Sequence, residues 1–200
     1  QMCIRDRETI ITANQGRDAG SSSTARKLGS LLSWIKSNTS EGTSGVDPTT
    51  IGVSTRTDGT QRTFTETLLK TVLASVFDSG GNPTMMVVGS GLKQKASSFA
   101  GVAAQRYMAP GDKPTTIIGA AEIYLGDFGQ ISIVPNRFMR TRDALLLDPE
   151  YAALAYLRPF VTNDLARTGD AETKQLLAEF TLEMRNEAAH GAVYDLDPAL

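Results

Sequence analysis

Few side chains in this sequence could do chemistry. His190 is the only histidine and Cys3 the only cysteine. That supply rules out an internal disulfide and a cysteine-based metal cluster, and it confines any Ser-His-Asp triad to His190, within Asn186-Glu187-Ala188-Ala189-His190-Gly191. A surface or interface histidine is the expectation there. Asp127-Phe128-Gly129 matches the metal-binding triplet of protein kinases. No HRD catalytic loop, G-x-G-x-x-G loop or VAIK lysine accompanies it. Asp127 and Gly129 suit a tight turn instead, with Phe128 covering its end. Gly89-Ser90-Gly91 sits where a strand feeds a helix N-terminus, a place that can hold phosphate through free amides. The Walker spacing fails, because Leu92 separates Gly91 from Lys93, and Ser90 reads as an N-cap.

Two carboxylate pairs, Glu179 with Glu183 and Asp143 with Asp148, have spacings that acid–base work can use. Exposed faces supply such pairs constantly, and no apolar pocket is predictable around either. Arg137, Arg140 and Arg142 interrupt an otherwise apolar region. They suit three roles: pairing with a neighbouring subunit's acids, contacting nucleic-acid phosphates, or lining a solvated loop. No catalytic, cofactor-binding or metal-ligating residue is assigned, and the expectation is a protein that is not an enzyme.

The elements that would carry these residues fit an ordinary globular composition. The chain has 200 residues, 40% of them hydrophobic and 21% charged, enough for one good core or two lobes sharing one. A formal net charge of −2 lacks the basic surplus of a dedicated nucleic-acid-binding domain. No apolar run approaches the ~20 residues of a membrane span, and no signal peptide is visible. Gln1–Arg7 resembles translated adapter sequence, so 1–7 is set apart from the fold and the true N-terminal portion is expected to be missing. Glu8–Gln15 would be the tail of an element begun upstream.

Leu28, Leu31, Leu32 and Ile35 follow helical spacing, which predicts a helix over Thr24–Ser37 with Ser23 as N-cap and Asn38 as terminator. Trp34 would pack under the long Ser/Thr/Gly/Asp-rich loop that follows. Thr63 and Glu66 form a capping-box pattern ahead of a helix burying Leu68, Leu69, Val72, Leu73, Val76 and Phe77, and Gly80-Gly81 ends it. Thr84–Val88 reads as a buried strand, followed by a helix with Leu92, Ala96 and Phe99 on one face. Pro110–Pro114 is a loop, and Ile117 leads into the next strands.

Period-two alternation on both sides of Gly126–Gly129 predicts a β-hairpin, and a second strand pair is expected before Phe160. Pro135 and Pro159 belong at strand ends or edges. Thr162–Asp170 is a loop. Residues 178–186 suit strand and helix equally: Phe180, Leu182 and Met184 alternate, whereas Leu176, Leu177, Phe180 and Met184 have helical spacing.

Taken in order, TARKLGSLLSWIKSN, FTETLLKTVLASVFDSGGNPTMMVVGS, YLGDFGQISIVPNRFM, LLLDPEYAALAYLRPF, LARTGD and EFTLEMRNEAAHGAVYDL resemble a tailed-phage major capsid protein. The group is that of the SU10-like major head proteins, whose shells use the HK97 fold. The resemblance runs from about Gly16 to Leu196. No single motif carries it; the ordered set does. It implies an α+β, HK97-like architecture with an axial A-domain and an elongated peripheral P-domain. Residues 60–150 would form the A-domain, while 8–59 and 151–200 would belong to the P-domain. Residues 178–186 would then be a long P-domain strand. The N-arm, the E-loop and most of the spine helix are expected to be missing.

The implied function is a structural head subunit that self-assembles as hexamers and pentamers into an icosahedral shell around double-stranded DNA. It would reside in the virion, after assembly in the host cytoplasm. Its partners would be other copies of itself, with scaffold, portal and decoration proteins, and DNA through non-specific contacts. No membrane and no cofactor is implied. Two alternatives stand beside it: an encapsulin-like compartment enclosing a cargo enzyme, and an α/β enzyme domain holding a small ligand or nucleotide at Gly89-Ser90-Gly91. On the capsid reading, Asp127→Ala lowers stability and assembly yield at most. A catalytic rate that disappears with Asp127 would contradict it.

Overall fold

The computed structural model describes residues 2–99, 123–167 and 169–199. The Pro110–Pro114 loop and the run from Ile117 into the hairpin lie outside them. In chain order the elements are α1 (Met2–Thr12), α2 (Leu31–Trp34), β1 (Thr39–Ser40), β2 (Arg62–Thr63), α3 (Glu66–Asp78), β3 (Met85–Val88), α4 (Ser90–Ala96), β4 (Ile123–Gly126) and β5 (Gly129–Pro135). There follow β6 (Ala144–Leu147), β7 (Ala152–Asp164), β8 (Lys174–Met184), a 3-10 turn at Glu187–Ala189, β9 (Gly191–Val193) and β10 (Leu196–Asp197).

Six strands form one mixed sheet in the order β1-β9-β6-β3-β5-β4. β1 runs parallel to β9 and β3 parallel to β5, while the β9–β6, β6–β3 and β5–β4 pairs are antiparallel. The apolar runs Met85-Met86-Val87-Val88 and Ala144-Leu145-Leu146-Leu147 sit at its centre because a strand covered on both faces needs apolar side chains at every position. Met86, Val88, Ala144, Leu146 and Val193 join α3 and α4 in one core. Val87, Leu145, Leu147 and Ala192 point the other way, onto Leu31, Leu32, Ile35, Tyr194 and Leu182. Gly191 permits the close seating of α3, since a Cβ there would fall 2.7 Å from Val72 and 2.8 Å from Val76. β1 and β9 come from the stretches expected in the P-domain, yet they are strands of this sheet.

α3 is capped by Thr65, whose hydroxyl accepts from the Leu68 amide at 3.4 Å, and Glu66 supports its first turn with an ion pair to Lys70 at 3.2 Å. The capping box expected from Thr63 and Glu66 does not form: Thr63 is held in β2 against Asp197, and Thr65 acts as a simple N-cap two residues later. Phe77 is 58% exposed rather than buried. It reaches past the helix end to the ring of Phe128, 5.0 Å away between centroids.

The helix expected over Thr24–Ser37 is reduced to one turn, α2. Its first half finds backbone partners elsewhere: Asp18 and Lys27 exchange both amide bonds, and the Ser30 amide donates to the Gln15 carbonyl. The apolar stripe is still buried, so burial rather than helical periodicity placed Leu31, Leu32 and Ile35. Trp34 lies under the following loop as expected, against Gly52, whose φ of +74° and missing side chain make room for the indole. At the start of the chain, α1 runs across the boundary drawn at residue 7. Arg7 donates to the Tyr156 hydroxyl at 2.8 Å and lies 5.9 Å from the Phe160 ring, so the segment set apart takes part in packing.

The hairpin β4–β5 is closed by the pair Gly126–Gly129, and Pro135 ends β5. The second strand pair expected before Phe160 is divided between sheets. β6 is central in the six-stranded sheet, whereas β7 pairs with β8 in a separate antiparallel ribbon. β7 continues through Asp164, into the stretch expected to be loop. Residues 174–184 are strand, which resolves the helix–strand ambiguity. Pro159 falls in the irregular stretch of β7, where the register slips between Arg158 and Val161. A missing donor is tolerated at such a site.

Asn38 ties the sheet to α3 rather than ending a helix. Its Oδ1 accepts from Ser75 at 2.8 Å and Ser79 at 3.1 Å, and its Nδ2 donates to the carbonyls of Ala188 at 2.7 Å and His190 at 3.1 Å. Asn38→Ala removes four hydrogen bonds at once from a buried side chain. It is expected to cost about 2–4 kcal/mol in urea denaturation, against about 1 kcal/mol for Ser75→Ala, which removes a single bond.

Candidate functional site

Among the described residues, a dense cluster of charge forms where three loops converge beside the sheet. Asp195 links β9 to β10 with a φ of 58°, a left-handed bend that aspartate tolerates better than most side chains. That bend turns a fully buried carboxylate toward the loop carrying Arg56 and Asp58 and the turn carrying Arg140, Arg142 and Asp143. Asp195 accepts from Arg56 Nη2 at 3.0 Å, Arg142 Nη2 at 2.7 Å, and the amides of Gly42 at 3.1 Å and Gly59 at 2.9 Å. Arg56 also pairs with Asp58 at 2.6 Å, and its guanidinium stacks on the Tyr194 ring at 4.0 Å. Arg140 bridges Asp58 and Asp143. Arg142 adds a bond to the Gly59 carbonyl at 2.5 Å.

The two buried carboxylates in this network differ. Burial alone would raise the pKa of Asp195. Hydrogen bonds from Arg56, Gly42 and Gly59, with the Arg56 charge, hold it below the ordinary carboxylate value. Asp143 is pushed up to about 6 by burial, which the charges of Arg140 and Arg56 only partly offset. The reason is geometric. Arg140 Nη1 lies 2.9 Å from Asp143 Oδ2 but off the hydrogen-bond direction, and neither Asp143 oxygen has a hydrogen-bond partner. A carboxylate saturated by guanidinium groups and amides is a poor general base. What this arrangement does well is fix three loops to one another.

The sequence-level candidates fall apart around it. Asp143 and Asp148 are buried at opposite ends of β6, not paired on an exposed face. Glu179, half-exposed, and Glu183, exposed, lie on β8 and are paired with Arg158 at 3.3 Å and Arg185 at 2.9 Å. Arg137 is exposed, while Arg140 and Arg142 spend their charge inside the chain, so the three arginines do not act together. Asp127 and Phe128 form the tip of the β4–β5 turn. Gly89, not Ser90, caps α4. A Cβ on Gly91 would lie 2.5 Å from the Pro198 carbonyl, so this glycine serves the close packing of Pro198 on α4.

His190, expected at the surface or at an interface, is instead fully buried within the chain. Its Nδ1 accepts from the Asp148 amide at 3.1 Å. The network itself was not legible as a constellation, since Arg56 with Asp58, Arg142 and Asp195 lie in three unrelated stretches. The one available signal was the isolated Arg56 inside a Ser/Thr/Gly loop.

Among the described residues no helix is long and apolar enough to cross a membrane. The fold, a helix-covered mixed sheet with a projecting β-ribbon, is that of protein shells of the HK97 type. It is similar to the encapsulin chain of the holo-SrpI complex from Synechococcus elongatus PCC 7942, with a TM-score of 0.56 and 12% identity. That likeness covers 100% of this chain and 63% of the encapsulin chain. A virus-like particle from Pyrococcus furiosus is matched with a TM-score of 0.41 and 10% identity, over 67% of this chain and 54% of that one. No curated protein matches the chain in sequence. Residues 2–197 match the family of the SU10 major capsid protein, and the chain belongs to that family.

The ion network predicts a particular response to acid. Asp195, with a depressed pKa, stabilises the fold above the ordinary carboxylate range and loses that contribution as pH falls through its lowered value. Asp143 has the opposite sign: its contribution is complete below its unfolded value of about 3.9 and is lost as pH rises through about 6. Asp143→Asn should therefore gain stability relative to wild type between pH 4 and pH 7 in thermal melts. Asp195→Asn should cost about 3–5 kcal/mol at neutral pH by leaving buried guanidinium groups unpaired.

Proposed function

We propose that the chain is a structural capsid subunit that self-assembles into an icosahedral shell enclosing double-stranded phage DNA. The observation that carries this reading is family membership over residues 2–197, together with a shell-type fold. Assembly runs through shape and charge between copies arranged as hexamers and pentamers, and requires no bond-making step. No residue acts in catalysis, and the buried ions serve rigidity.

Residues 60–150 supply most of the A-domain, and 8–59 and 151–200 belong to the P-domain apart from β1 and β9, which extend the A-domain sheet. The β7–β8 ribbon belongs to the P-domain and offers a surface to neighbours: Leu157 is 80% exposed, with Val161 and Leu176 also open. A tile needs such surfaces on the parts that project from its own core. Scaffold, portal and decoration proteins are further partners. DNA is held without sequence preference, in keeping with a net charge of −2. The subunit resides in the virion after assembly in the host cytoplasm.

The test is expression of the complete gene with its neighbouring head genes, read by electron microscopy and by analysis of the particle contents. Closed shells containing nucleic acid are expected. Shells packed with one protein would favour a cargo compartment instead. Chains that stay monomeric without particles would overturn the shell reading.

A further inference from the structure

His190 is a fully buried titratable group at the root of the β7–β8 ribbon, and it takes no part in the ion network. Its ring is fully buried between the two segments through which the ribbon joins the sheet. On the outgoing side, the Asp148 amide donates to Nδ1 at 3.1 Å, and Asp148 begins the turn that feeds β7. That turn is tight: the Tyr151 amide donates to the Asp148 carbonyl at 3.1 Å, and the Glu150 amide to Asp148 Oδ1 at 3.0 Å. On the returning side, the Arg185 amide donates to the Tyr151 carbonyl at 2.9 Å just after β8 ends, and His190 itself follows the 3-10 turn that leads into β9. One imidazole therefore braces both strands of the ribbon against the sheet.

An acceptor at Nδ1 requires the neutral ring with its proton on Nε2. We propose that His190 is a proton-sensitive brace, which holds the ribbon root to the sheet while its ring is neutral and releases it when the ring takes up a proton. A proton on Nδ1 would set two N–H donors head to head, His190 against Asp148. Turning the ring over does not help, because both nitrogens of an imidazolium are donors. The amide–imidazole bond is lost either way, and the turn at Asp148–Tyr151 loses its fixed end.

The groups acting on the ring are Asp148, Glu187 and the Tyr151 carbonyl. All favour the charged form, and burial outweighs them and lowers the pKa of the ring. Release therefore begins below the ordinary histidine value of about 6.5. The folded state favours the neutral ring, so its contribution to stability is present at neutral pH and lost as pH falls. Asp143 contributes with the opposite sign, so the two effects are separable.

The test is amide hydrogen exchange of the folded chain, read as protection factors at about pH 7.5 and pH 5 so that the intrinsic rate cancels. Protection at Asp148 and Arg185 is expected to fall about five- to tenfold more than protection at α3 amides between Leu69 and Val76 once the ring is protonated, the loss of one hydrogen bond. In His190→Asn the amide oxygen replaces Nδ1 as a fixed acceptor, and the fall should vanish. Equal pH dependence in that variant, or constant protection in the wild type, overturns the proposal.

Should the variant fail to fold, the wild type suffices. Its single histidine gives one ring resonance, which is expected to titrate below 6.5 in step with the Asp148 amide. A ring that titrates without moving the Asp148 amide also overturns the proposal.

Discussion

The structure depends on a buried carboxylate that three separate stretches of chain must satisfy. Asp195 sits at the end of the central sheet with no access to water, so its charge is tolerable only if guanidinium groups and amides arrive to meet it. Arg56 comes from the long polar loop, Arg142 from the turn before β6, and the amides from Gly42 and Gly59. The loops carrying Gly42, Arg56 and Gly59 are poor in apolar residues and would be loosely placed by hydrophobic burial alone, whereas the turn carrying Arg142 is also held by the buried Met139. The ion network gives them fixed positions, and the stacking of Arg56 on Tyr194 ties that arrangement back to the core.

Such a network is an expensive way to gain stability, since desolvation offsets much of the attraction between the charges. Its effect is better described as selection among arrangements. A carboxylate at this bend accepts few geometries, and a displaced loop would leave a buried charge unpaired. Asp143, with an ion pair but no aligned hydrogen bond, marks where this selection is incomplete. The same logic operates without charge at Asn38, whose two acceptor and two donor contacts hold β1, α3 and the 3-10 turn in register.

Much of the fold was legible where the physical signal is local. α3 follows from its apolar spacing and its glycine stop, β3 from its unbroken apolar run, and the β4–β5 hairpin from period-two alternation around Gly126–Gly129. What misled was distant pairing. The stripe Leu28–Ile35 has helical spacing, yet the backbone before Leu31 bonds to Asp18 and Gln15, and the side chains are buried all the same. Residues 174–184 carry both periods, and β7 decides between them. The candidate site was the least readable part, because Arg56, Asp58, Arg142 and Asp195 are brought together only by the completed sheet. His190 was misjudged for a similar reason: nothing near it in sequence announces that Asp148 will need its nitrogen.

The β7–β8 ribbon is anchored chiefly at its base, where Leu182, Leu154 and Met184 meet the core. With 13 residues in β7, it reaches roughly 40 Å if extended. Over that length a rotation of about 10° at the root would sweep the far end through roughly 7 Å, more than the spacing between two strands. The ribbon is in effect a lever with its fulcrum at Asp148–Tyr151. Whatever its far end touches is therefore held in place by hydrogen bonds a full strand length away.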